Sequence, residues 1–226
     1  MKCLIFDVET NGLPKNNRAP LFKTHLWPHI VQFSWLVYDT KKKKIIDVHN
    51  YIVKIPDNID LPEESVKIHK ITRKDTQTQG VNISYILKKF SKDYLSCDLL
   101  VAHNYNFDSK IVGVEYIRNA DVDDLFCNIF DMVPKNHYCT MHNSINICKI
   151  VRTDKYGEKY YKYPKLVELH EKLFKQTIRN AHNSLIDVYA CLRCFCKIKY
   201  DYDVLTINKS GKFIDYYVDI SGMAFY

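Results

Sequence analysis

KCLIFDVETNGL, residues 2–13, opens on a continuous apolar run broken by one acid. A run without alternation is the pattern of a strand covered on both faces, as a central strand is in a sheet flanked by helices. Gly12, Leu13 and Pro14 mark the turn that follows. Beyond a polar loop, IVQFSWLVYD (30–39) and KIIDVHNYIV (44–53) read as two more strands joined by the lysine run 41–44, a hairpin or meander beside the first. The period then changes. LPEESVKIHKIT carries a proline near a helix start, and VNISYILKKFSKDYL repeats apolar residues at Val81, Ile83, Ile86, Leu87 and Phe90. CDLLVAH returns to a buried strand at 97–102, and a helix follows over Asp108–Arg118.

Further on, residues 126–141 read as a short strand and loop, whereas 166–174 and 184–199 are helical by period. The tail, 202–226, carries two β-like runs around Lys209, Ser210 and Gly211, which predicts a terminal hairpin. The expectation is one α/β domain, residues 1–200, with 201–226 an extension packed on it; single domains cluster at about 100 to 200 residues.

At 46% hydrophobic and 26% charged, the composition is that of a globular protein and excludes a disordered or fibrous one. A net charge of +7 favours polyanionic partners without specifying one. Eight cysteines, at 3, 97, 127, 139, 148, 191, 194 and 196, lack the spacing of a disulfide scaffold, so reduced thiols and an intracellular setting, cytoplasmic or nuclear, are expected. No apolar stretch approaches the roughly 18 to 20 residues of a membrane span. The Lys, Asn, Ile and Tyr bias points to an AT-rich genome, viral or cellular.

Asp7 and Glu9 are two apart on a strand and so project to one face. Adjacent carboxylates repel, and are stable only if they share a proton, stay in water or meet a cation; hard divalent ions take such oxygens at about 2.0 to 2.1 Å. Alone, the pair reads as a solvated strand end. Asp108 follows the second buried strand, where ligands bind in open α/β sheets, though alone it reads as a helix N-cap. His182 and Asp187 are five residues apart, about 500° around a helix, so they converge only if Asn183 or Ser184 is the N-cap and His182 lies in the preceding loop. An acid in so apolar a helix is costly unless it is paired or binds metal, the plain alternative being a Ser184-x-x-Asp187 capping box.

Taken together, FDVETNGL, VAHNYNFD and AHNSLIDVYA, in that order and with His-x4-Asp spacing, resemble the three motifs of the DEDDh 3′-to-5′ exonucleases, the DnaQ-like branch of the RNase H-like superfamily. VKIHKITRKD and YPKLVELHEKLF resemble intervening family segments, so the likeness runs from residue 3 to about 196. Asn11 departs from a common threonine, at a position expected to touch substrate through its backbone.

The resemblance implies an RNase H-like mixed five-stranded sheet flanked by helices. It implies two divalent ions, Mg²⁺ or Mn²⁺, ligated by Asp7, Glu9 and Asp187, with Asp108 positioning the second directly or through water. His182 becomes the general base, and Leu13 a wedge against the terminal bases. Thr10, Gly12, His103, Asn104 and Phe107 are expected on the substrate side. The implied partner is nucleic acid with a free 3′ end, single-stranded DNA first. Exoribonuclease or oligoribonuclease action and proofreading for a polymerase bound in trans are the alternatives.

Three further features carry less. Lys41–Lys44 reads as a solvated turn, and Cys191, Cys194 and Cys196 as small side chains packed beneath the site, in preference to zinc ligands. Tyr160, Tyr161 and Tyr163, beside Lys159 and Lys162, read as a surface loop with partly buried rings and as the foremost candidate for a substrate-channel element.

Overall fold

A computed structural model describes residues 1–120 and 128–207. The strands β1 (Lys2–Thr10), β2 (Ile30–Asp39) and β3 (Lys44–Ile52) are followed by helices α1 (Glu63–His69), α2 (Arg73–Thr78) and α3 (Ile83–Ser96). Next come β4 (Leu99–Ala102), α4 (Tyr105–Arg118), α5 (Ile129–Met132), β5 (His137–Cys139) and α6 (Ile145–Cys148). A separate hairpin, β6 (Val151–Thr153) and β7 (Lys159–Tyr161), precedes α7 (Leu166–Phe174), α8 (Ser184–Tyr200) and α9 (Val204–Ile207). The main sheet has the order β3-β2-β1-β4-β5, with β1 antiparallel to β2 and parallel to β4, so the expected mixed five-stranded sheet is present with KCLIFDV at its centre.

Alternation along β1 sorts its side chains between two cores. Leu4, Phe6 and Val8 pack with Phe33, Trp35, Ile86, Phe90 and Ile111 on the side of α3 and α4. Cys3 and Ile5 pack with Leu36, Val101, Leu185, Val188 and Leu192 under α8. The first core centres on Phe90, whose ring lies 4.9 Å from Phe33, 5.5 Å from Trp35 and 5.6 Å from Phe6. Aromatic pairs at such separations add about 0.5 to 1.5 kcal/mol beyond their buried area. α8 is buried nearly all round, which explains why its apolar residues fall on two stripes instead of one.

Within the stretch 60–95, helical as expected, a separate helix α2 begins on a capping box in which Thr72 Oγ1 accepts from Asp75 N–H and Asp75 Oδ2 accepts from Thr72 N–H. Three local expectations are corrected. The Tyr160 segment is the β6–β7 hairpin and not a loop, and its rings are exposed. Residues 126–141 hold the short helix α5 besides the strand β5. At the C-terminus, Val204–Ile207 form a helical turn whose Val204 and Leu205 join the α8 core, where the first arm of a hairpin was expected; the rest of that hairpin falls outside the described residues. Among the described residues no helix is long and apolar enough to cross a membrane.

Candidate active site

Past Ile5, the α8 face of β1 continues into Asp7 and Glu9, both half-buried. The pairing register with β2 slips between Glu9 and Thr10, which sit opposite Gln32 and Ile30, so the strand is re-aimed where the acids end. Thr10 Oγ1 then donates to the Gly12 carbonyl at 2.7 Å and closes the turn. Gly12 has φ +156°, a region glycine enters freely, and Leu13 behind it stands 81% exposed. Asn11 is otherwise engaged: its N–H donates to the His29 carbonyl at 3.0 Å, and its side chain bridges His29 N–H and the Asp60 carbonyl. The amide expected to meet substrate is spent on the fold.

The second motif enters from α4. Its N-cap is Asn104, in the left-handed region at φ 73°, so the N-cap role open to Asp108 is excluded. Asp108 instead lies one turn into the helix, 3% exposed, and accepts from Val8 N–H at 3.3 Å, which aims it at the floor formed by Asp7 and Glu9. Phe107, partly buried, packs against the first core. His103 was expected at the substrate, but both ring nitrogens are taken. Nε2–H donates to the Pro164 carbonyl at 3.0 Å, which leaves Nδ1 to accept from the Thr140 hydroxyl at 2.9 Å. Burial holds this imidazole neutral down to about pH 4, so His103 braces the strand end to the chain before α7.

α8 begins at Asn183, whose side chain caps Leu185 N–H at 3.2 Å; the Ser184–Asp187 capping box therefore does not form. Asp187 falls in the first turn and accepts from the backbone N–H of His182 at 3.0 Å. His182 lies in the preceding loop, exposed, at φ 69°. Glu9, His182 and Asp187 each bring a ligand atom into a group whose members all lie within 4.8 Å of one another.

Two residues that the sequence did not single out hold this helix start in place. Gln32 Oε1 accepts from Ser184 N–H at 3.1 Å, and Ser34 Oγ lies 2.6 Å from Ser184 Oγ; both also bond Asn50 Oδ1. Gln32 is 3% exposed and Ser34 fully buried. The readable signal was two polar residues on one face of the otherwise apolar IVQFSWLVYD.

Electrostatics give the site its character. Burial, then the charges of Asp108, Asp187 and Glu9, raise Asp7 well above the carboxylate range; burial is also the first cause at Asp108. Burial and the Asp187 charge push Glu9 up to about 8, and burial raises Asp187 to about 7 despite the His182 amide. Four acids so placed cannot all ionise without compensation, and an oxygen-rich set with one imidazole suits hard divalent ions. His182 goes the other way: partial burial, then the Lys165 charge, lowers it, so its ring is neutral and can accept a proton at pH 7. A second group, Asp47, His49 and Asp93, lies away from this floor. There His49 Nε2 is 3.2 Å from each carboxylate and Trp35 Nε1 donates to Asp93, a polar network that ties β3 to α3. Cys191, Cys194 and Cys196, all on α8, are buried free thiols.

Solved structures share the fold. Escherichia coli Exonuclease I in complex with a dT13 oligonucleotide superposes with a TM-score of 0.61 at 16% identity, covering 87% of this chain and 41% of that one. The Exonuclease I of Methylocaldum szegediense gives 0.59 at 15%, covering 91% and 42%. A zinc-bound E. coli Exonuclease I complex with single-stranded DNA gives 0.61 at 15%, covering 95% and 42%. The chain thus spans less than half the length of these proteins, and at such identities the likeness concerns the fold. No curated protein matches by sequence. The RNase T family model, described as exonuclease, matches residues 4–195, a span that contains every acid of the site together with His182: the chain belongs to this exonuclease family of DnaQ-like, RNase H-like proteins.

Proposed function

We propose that the chain is a metal-dependent 3′-to-5′ exonuclease that releases nucleoside monophosphates from DNA 3′ ends. The observation that carries this reading is the convergence of Asp7, Glu9, Asp108 and Asp187 on one half-buried floor with a neutral imidazole at its rim. Two Mg²⁺ or Mn²⁺ ions held by Asp7, Glu9 and Asp187, with Asp108 beside them, would supply charge stabilisation for an in-line phosphoryl displacement.

The chain's own groups do the rest. Asp108, tethered to Val8 N–H, and Asp187, tethered to His182 N–H, keep fixed orientations as substrate enters, so little reorganisation is needed. His182 takes the proton of the attacking water as the new P–O bond forms. The bond from phosphorus to the 3′-oxygen of the penultimate nucleotide then breaks, and that oxygen recovers a proton from solvent. Leu13, held out beyond the Gly12 turn, lies against the terminal bases and tolerates any sequence. Purified protein with Mg²⁺ should shorten 5′-labelled single-stranded DNA one nucleotide at a time, and Asp7→Ala should abolish this. Undiminished release by Asp7→Ala under metal-controlled conditions would overturn the assignment.

A further inference from the structure

The β6–β7 hairpin stands apart from both cores. All six of its strand residues are exposed, on both faces. A two-stranded hairpin with no packed face is marginal in water, so its persistence calls for local reinforcement and its surface for a use. The reinforcement is visible in the turn, where Asp154 Oδ1 accepts from Tyr156 N–H at 2.8 Å and from Glu158 N–H at 2.9 Å. That turn consumes one of only two acids between residues 149 and 165, a segment with six basic residues. Tyr156, Tyr160, Tyr161 and Tyr163 project from it, 78%, 51%, 45% and 56% exposed.

The hairpin is also tied to the strand end that leads into the second motif. β7 leads through Lys162 to Tyr163, Pro164 and Lys165, and the Pro164 carbonyl accepts from His103 just after β4. Lys162 is held by Glu168 at 2.6 Å, which fixes the hairpin's exit to α7.

We propose that this hairpin is a platform for single-stranded DNA, stacking bases on its tyrosines and screening phosphates with Arg152, Lys155 and Lys159, along the part of the strand 5′ to the nucleotide being removed. The inference rests on the nuclease reading for its orientation. Unpaired bases fit better than a duplex or a protein partner, because exposed rings interleaved with cations match a polyanion whose bases are free to stack.

Fluorescence anisotropy with full-length protein in EDTA tests binding without hydrolysis, so a chain that cleaves nothing could still bind as proposed, and an active one could fail. Oligothymidylates of about four and about sixteen nucleotides span the site sizes of such surfaces. The wild type should favour the longer strand, and the joint variant Tyr156→Ala, Tyr160→Ala, Tyr161→Ala and Tyr163→Ala should weaken it about tenfold or more. Arg152→Gln, Lys155→Gln and Lys159→Gln together should lower the salt slope of binding by about two, which decides the matter if the tyrosine variant misfolds. Wild-type affinity and slope in both variants, or equal competition by blunt duplex DNA, would overturn the proposal.

Discussion

The backbone N–H of His182 holds Asp187 Oδ2 at 3.0 Å, so the residue that presents the imidazole also orients the acid five positions on. The left-handed conformation of His182, φ 69°, makes both possible, because it turns the peptide toward the helix start while the ring stays at the rim. Such a conformation in a non-glycine residue costs about 1 to 3 kcal/mol and persists where surrounding structure enforces it.

The two roles can be separated. Asparagine tolerates the left-handed region and keeps the N–H, so His182→Asn should preserve the melting temperature while kcat falls by about 10² to 10⁴, the usual worth of a general base. Asp187→Asn should likewise fold and lose metal-dependent cleavage. Steady-state kinetics beside thermal unfolding checks both, and a fully active Asp187→Asn protein would contradict the assigned chemistry.

Metal should stabilise the chain most at alkaline pH. Glu9 is raised from 4.5 to about 8 and Asp187 from 3.8 to about 7, so without metal the folded chain retains protons that the unfolded chain has released. Stability from these groups is therefore whole at low pH and drains away as pH rises through about 7 to 8. Divalent ions compensate the charges that the protons otherwise remove. Mn²⁺ or Mg²⁺ should raise Tm more at pH 8 than at pH 5.5, and an equal shift at both would count against the cluster as its site.

Gln32 offers a test of positioning. Gln32→Leu leaves the buried Ser184 N–H without its acceptor, at a cost of about 1 to 3 kcal/mol, and loosens the turn that carries Asp187. The expected signature is a lower kcat with nearly unchanged KM. Loss of stability with full kcat would make Gln32 structural only.

Arg118 should matter more than its distance from the acids suggests. It pairs with buried Glu115 at 2.5 Å and donates to the carbonyls of Thr24, Trp27 and Pro28, fixing the loop that faces Leu13. Arg118→Met should cost about 3 to 5 kcal/mol by stranding Glu115, and adding Glu115→Leu should recover part of the loss. A double-mutant cycle by denaturant unfolding measures the coupling, and strict additivity would rule it out.

How far the sequence discloses such a site depends on the range of the interaction. β1, β2 and α8 were legible because their burial writes a pattern into consecutive residues, and the angular spacing of His182 and Asp187 narrowed the loop-to-helix boundary to Asn183 or Ser184, of which the structure takes Asn183. Contacts between distant segments leave no such pattern. That Asp108 would reach Val8, or that both nitrogens of His103 would be consumed by Thr140 and Pro164, depends on which strand ends become neighbours. Asn104 hid for a different reason: a left-handed N-cap lets the helix start one turn earlier than the position of Asp108 suggests. The polar pair Gln32 and Ser34 was visible, but its meaning needed a partner 150 residues away.

The sorting of β1 between two cores has a consequence for how this chain can change over time. Cys3, Ile5, Asp7 and Glu9 share one side of the strand, and Leu4, Phe6 and Val8 the other. Removing or adding a single residue between Cys3 and Asp7 would turn the acids into the apolar layer beneath α3 and α4 and bring phenylalanine to the floor. A point substitution along β1 therefore touches one side of the sheet, whereas an indel there disrupts the core and the acidic floor together. Length variation in this lineage should be confined to the turns, with the distance from Cys3 to Glu9 held constant.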